Sequence, residues 1–205
     1  AALQAQVEAS LSEASPDTRQ QLEGILAAAY RLSHLVAQML ALARAEPSLA
    51  QTQPEVSLAT VVQQVAEVWL PRAFAQQIDL GFELAPAFSR GNHLLLQELL
   101  GNLLDNALRY TPHGGTITVA CGQDEAASWL SVEDSGPGIA ASERNRVFER
   151  FYQPPGSRCD GNGLGLAIVQ EIARQHRGQA IAMTSPKLGG ALLKVTLPPA
   201  STMTI

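Results

Sequence analysis

From Asn92 to Tyr110 the sequence NHLLLQELLGNLLDNALRY sets Leu96, Leu99, Leu100, Leu103, Leu104 and Ala107 at steps of one, three and four, the spacing of a broad apolar helix face. Asn92 is a good cap for this helix, and TPHGG after Tyr110 stops it. Two runs, TITVACG and SWLSVED, then predict strands. A helical pattern follows from about Leu164 to His176 with Gly178 as its stop, and two more strands, AIAMTS and ALLKVTL, are joined through Gly189 and Gly190. Upstream, EVSL reads as a short strand, Leu58 to Gln76 as a helix and IDLGFEL as a strand, after which the next element is the helix capped by Asn92. Strands outnumber single crossovers, so the predicted fold is α+β, a two-layer α/β sandwich with a mixed sheet, not a doubly wound parallel one.

The first residues, AALQAQVEASL, lack an initiator Met and a signal-peptide charge pattern, yet are already in helical register at Leu3, Val7 and Leu11. The chain therefore reads as cut from something longer. SEASPDTR predicts a turn, and a second helix follows from about Thr18 to Arg44, with Leu22, Ile25, Ala29, Leu32, Val36, Met39 and Ala43 in a coiled-coil seam. Such a hairpin is expected to self-associate into a four-helix bundle, in preference to folding back on its own domain. The prolines of AEPSLAQTQPEV mark a linker. The predicted organisation is a helical hairpin over 1–46, a linker over 47–53, an α+β domain over 54–198 and a tail over 199–205.

With 205 residues, 46% of them hydrophobic, the chain can build one full core and a smaller second unit. A net charge of -5 without a lysine- or arginine-rich block disfavours nucleic acid and anionic membrane surfaces as partners. No apolar run reaches the roughly 18 residues that span a bilayer, so a membrane segment would have to lie outside this piece. Cys121 and Cys159 fit neither a paired metal spacing nor a disulfide framework, and are expected to be reduced thiols without structural zinc.

Chemistry concentrates in four places. Asn102, Asn106, Arg109 and Tyr110 form a polar stripe beside the leucine face, although asparagine is a poor helix former. An amide carbonyl is a hard oxygen ligand suited to magnesium, which shares its shell with substrate phosphates, and Arg109 could reach the same phosphates. In VEDSGPGI a strand runs into Gly136 and Gly138, which with Ala141 match the dinucleotide fingerprint. That reading fails, because the second strand and later acidic residue it requires are replaced by FYQPPGSRCDGNG. Asp134 suits instead a buried acceptor for an exocyclic amino group such as that of adenine. In GNGLGLAIVQEIA, Gly161, Gly163 and Gly165 open a helix whose backbone amides can take phosphate, with no Walker sequence present. Between these lies RVFERFYQPPGSRCD, read as a hinged lid anchored by aromatics.

In this order and spacing the four pieces resemble the ATP-binding domain of two-component sensor histidine kinases, of the GHKL type shared with DNA gyrase, the mismatch-repair ATPase and the heat-shock chaperone. NLLDNALRYTPHGG is similar to the N box, DSGPGI to the first glycine box, FERFYQ to the F box, GNGLGLAIV to the second glycine box and GGALLKVTLP to the closing strands. The resemblance covers residues 54–198, and the hairpin over 1–46 resembles the dimerisation and phosphotransfer helices of sensors that pair with winged-helix response regulators. It implies ATP and Mg2+ as cofactors, with Asn106 on the metal, Asn102 near the triphosphate, Arg109 and Tyr110 by the phosphates and Asp134 on the adenine amino group. Gly136 and Gly138 would shape the base pocket and Gly161, Gly163 and Gly165 would hinge the lid. Ile139, Phe151, Tyr152, Leu164 and Leu166, in the same boxes, are implied to line the nucleotide. Glu98, one turn before Asn102, is placed to orient an attacking group.

The acceptor histidine of the family, in a stretch like H-E-x-x-T-P-L, is missing, since AALQAQ resembles what comes just after it. His34 stands outside such a motif, and His93, His113 and His176 stand singly. Asn92 replaces the family's frequent Asp cap. The expectation is a parent kinase on the cytoplasmic side of the bacterial inner membrane, homodimeric, that passes phosphate from histidine to the aspartate of a response-regulator receiver domain. This chain would bind MgATP without phosphorylating itself. A regulatory serine kinase or anti-sigma module of the same fold is the alternative, opposed by the heptad seam. A gyrase-like motor would usually carry Glu where Asn102 stands.

Overall fold

The computed structural model describes residues 54–154 and 163–200. The expected hairpin with His34, the linker, Cys159, Gly161 and the residues after 200 lie outside the described residues. The elements run β1 (Glu55–Ser57), α1 (Leu58–Ala75), β2 (Asp79–Leu84), β3 (Phe88–Arg90), α2 (His93–Tyr110), β4 (Thr116–Gln123), β5 (Ser128–Asp134), a 3-10 turn (Arg146–Phe148), α3 (Gly165–Gln175), β6 (Gln179–Thr184) and β7 (Ala191–Leu197).

Five strands form one sheet in the order β2-β4-β5-β7-β6, while β1 and β3 pair separately. Only the β2–β4 pairing of the large sheet is parallel; the others are antiparallel, so the sheet is mixed, as the sequence led one to expect. The three helices cover it, with α2 packed between α1 and α3. Leu96, Leu99, Leu100, Leu103 and Leu104 of α2 are buried together with Ile117, Leu130, Leu193 and Leu197 of the sheet. Each such leucine contributes roughly 1.5–3 kcal/mol on leaving water, which is what holds the polar stripe of α2 in a fixed orientation.

Local signals set the helix starts. Ser57 caps α1 by accepting the N–H of Thr60, and Asn92 Oδ1 accepts the N–H groups of Leu94 and Leu95 at 2.9 and 3.3 Å. The end of α3 differs from the expectation. Arg177, not Gly178, takes the left-handed turn (φ 56°). Gly178 is required for another reason: a Cβ there would meet the carbonyl of Thr196 at 2.1 Å, so the missing side chain lets β7 lie against the helix end.

Strand β3 was not foreseen. Its three residues are held by distant partners: Ser89 opposes Val56 of β1 on one side and bridges Pro199 on the other. The carbonyl of Pro54 accepts the N–H of Gly91, and the carbonyl of Phe88 accepts that of Ala200.

Candidate functional site

At the C-terminal end of β5, Asp134 is almost fully buried, at 3% exposure. Its Oδ1 accepts two backbone hydrogen bonds, from Gly136 at 2.8 Å and from Ala191 at 3.1 Å. Oδ2 makes no hydrogen bond to any described residue. The carboxyl is pushed above its ordinary range by burial, against the two N–H bonds, which pull it down. The result is an acceptor fixed on one oxygen, with the other kept for a donor.

Backbone crowds this carboxylate closely. A Cβ on Gly136 would lie 2.8 Å from the carbonyl of Tyr110 and 2.9 Å from Asp134 Oδ1. A Cβ on Gly190 would lie 2.3 Å from the carbonyl of Asp134 and 2.5 Å from its Oδ1. Gly138 takes a left-handed conformation (φ 74°) against the backbone of Gly190. The sequence reading gave Gly190 only a turn between strands; the structure puts it against the candidate base-recognition residue. The signal was the GG doublet before ALLKVTL, but its contact depends on β7 pairing with β5.

Along α2, Asn102 is buried and Asn106 one turn on is half-buried. Asn102 Nδ2 donates to the backbone carbonyl of Glu98 at 2.8 Å and to its carboxylate at 3.2 Å. Glu98 therefore sits beside Asn102 on α2. A Cβ on Gly165 would lie 3.3 Å from Asn102 Oδ1, which places the start of α3 over this turn of α2. Arg109, one turn beyond Asp105, pairs with its carboxylate at 2.7 Å. Tyr110 closes the helix next to Gly136. Among the described residues no three His, Cys, Asp or Glu side chains converge as a metal cage. An amide oxygen from Asn106 fits a hard cation that draws its other ligands from phosphate and water.

The region between the glycine stretches is anchored unevenly. The Tyr152 hydroxyl donates to the Glu143 carboxylate, and the Arg146 guanidinium lies 4.2 Å from the Tyr152 ring centre and 3.8 Å from Glu143. Val147 is buried, but Phe151 is exposed, so it does not serve as the aromatic anchor expected. The Phe151 N–H donates to the carbonyl of Gly163 at 2.8 Å, joining the two described edges of this segment. Ile139 is half-buried and its carbonyl accepts from Arg144. Leu164 and Leu166 are buried where α3 begins, at a glycine-opened helix start of the kind that takes phosphate.

Residues 91–201 match the family described as histidine kinase-, DNA gyrase B- and HSP90-like ATPases. The chain belongs to this family. Within it, the sensor histidine kinase RppB of Synechocystis sp. is 35% identical over 207 residues, covering 97% of this chain and 45% of RppB. The structure of the mycobacterial sensor histidine kinase MprB aligns with 72% of this chain and 97% of its own, at 30% identity and a TM-score of 0.64. Full-length ShkA in complex with AMPPNP aligns with 91% of this chain and 40% of its own, at 27% identity and a TM-score of 0.73. The chain spans less than half the length of the curated relatives it matches. Asp134, the paired asparagines and the glycine stretches thus lie in an ATP-binding region of the histidine-kinase kind.

Proposed function

We propose that this chain binds MgATP between α2, the end of β5 and the start of α3, and that it is the catalytic part of a kinase that phosphorylates histidine. The observation that carries this is Asp134: a buried carboxylate with one oxygen fixed by two N–H groups and the other without a partner among the described residues. That oxygen suits the exocyclic amino group of adenine. Asn106, with Asn102 beside it, would hold Mg2+ against the triphosphate, and the N–H groups opening α3 would take the phosphates. Arg109 would have to share or leave Asp105 to contact them.

Phosphoryl transfer needs mainly positioning and charge neutralisation, and the bound metal supplies part of the latter. The residues of this chain fix the base at one end and the phosphates at the other. In the parent protein the γ-phosphoryl group would pass to a histidine outside this chain and then to a receiver-domain aspartate, in a homodimer attached to the membrane through other segments. No helix among the described residues is long and apolar enough to cross a membrane.

The test is titration calorimetry with a non-hydrolysable ATP analogue, with and without magnesium, on the wild-type chain, Asn106→Ala and Asp134→Ala. Magnesium-dependent binding weakened in both variants supports the reading; binding that neither variant changes overturns it. Radiolabel from γ-labelled ATP retained on this chain alone would refute the expectation that it cannot phosphorylate itself.

A further inference from the structure

Glu133, the residue before Asp134 on β5, forms a buried hydrogen-bonded pair with Ser185. Glu133 and Ser185 are 7% and 3% exposed. The Ser185 hydroxyl donates to Glu133 Oε1 at 2.7 Å and accepts the N–H of Leu188 at 2.7 Å. Its backbone carbonyl accepts the N–H of Gly189, and its backbone N–H donates to the carbonyl of Gly190 at 2.8 Å. Ser185 therefore gathers the whole turn between β6 and β7.

The last of these bonds reaches the site. The peptide unit between Gly190 and Ala191 is held at both ends: its oxygen by the Ser185 N–H, its N–H by Asp134 Oδ1. Rotation of that peptide plane would withdraw one of the two donors that fix Oδ1. Gly190, with no room for a Cβ, keeps the plane tight against Asp134. Glu133 precedes Asp134 on β5, so the same strand carries both the anchor of the turn and the residue the turn grips.

We propose that Ser185 and Glu133 are positioning residues for base recognition: their hydrogen bond orients the Gly190–Ala191 peptide, which in turn aims the Asp134 carboxylate at the exocyclic amino group. This rests on the adenine reading of Asp134 given above. A pair that merely stabilised the turn would weaken every nucleotide alike, whereas a pair that aims Asp134 weakens those carrying the amino group.

The experiment measures, on the full 205-residue chain, the affinities for ATP and for purine riboside triphosphate, which lacks that group. Ser185→Ala and Glu133→Ala are expected to bind ATP about tenfold more weakly, the loss of one well-made hydrogen bond, and the amino-free nucleotide within about twofold of wild type. Glu133→Gln keeps a carbonyl acceptor for the Ser185 hydroxyl and should restore most of the discrimination. Equal weakening of both nucleotides, or no change in either, overturns the proposal. Asp134→Asn separates the two levels. Discrimination lost in Asp134→Asn but kept in Ser185→Ala and Glu133→Ala overturns the positioning pair alone; discrimination unchanged in Asp134→Asn overturns the adenine reading and the pair with it.

Discussion

The buried imidazole of His176 accepts, at Nε2, the backbone N–H of Asn92 at 3.0 Å, while its Nδ1–H donates to the carbonyl of Ile172 at 2.7 Å. The end of α3 is thereby tied to the cap of α2, the helix that carries Asn102 and Asn106. Burial holds the His176 pKa below its ordinary value, against the Ile172 carbonyl, which raises it. A base with a depressed folded pKa contributes stability above its unfolded value of about 6.5 and loses it as pH falls through the folded one. Wild type should therefore lose stability on acidification more steeply than His176→Gln, measured as urea midpoints between about pH 7 and about pH 5. His176→Ala should cost about 1–3 kcal/mol at neutral pH by leaving the Asn92 N–H without its acceptor.

Asp134 titrates with the opposite sign. Its raised pKa means the folded state holds the proton more readily than the unfolded chain, so acidification favours folding through this group. On the proposed adenine reading, nucleotide binding needs the ionised form. Affinity for an ATP analogue should fall with pH from above the ordinary carboxylate value of about 4, and the Asp134→Asn profile should lack this step. An identical pH profile in both proteins would show that Asp134 does not titrate in the binding range.

The two asparagines separate stability from binding. Asn102→Ala removes two hydrogen bonds to Glu98 and should cost about 1 kcal/mol. Asn106→Ala removes a half-buried amide from a helix and should leave stability within about 0.5 kcal/mol of wild type. Both should lose the magnesium-dependent part of nucleotide binding. Urea unfolding and calorimetry on the same samples test the pair.

Adjacent glycines should behave differently. Gly190→Ala drives a Cβ into Asp134 and should abolish tight nucleotide binding while costing about 1–3 kcal/mol. Gly189→Ala meets no atom within 4 Å and carries only the strain of its left-handed φ of 80°, about 1–2 kcal/mol, with affinity retained. Equal loss of affinity in the two variants would rule out the close approach as the cause.

Local patterns made much of this legible. The leucine spacing and Asn92 cap of α2, and the alternation of ALLKVTL in β7, are written within a few residues of themselves. What escaped depends on distance along the chain. Strand β3 is three residues without a pattern of their own, defined by Val56 and Pro199. His176 looked solitary because its partner, Asn92, lies 84 positions away. Gly190 read as a turn because its neighbour Asp134 arrives only when β5 and β7 pair.

Because Val56 and Pro199 both oppose Ser89, one on each side of β3, these two positions lie about two strand spacings, or roughly 10 Å, apart. In topological terms the domain is nearly a closed ring. It can be spliced between two longer segments as a cassette without stretching its core, and a circular permutant opened at the surface turn around Asp124 and joined across this corner should fold to the same sheet.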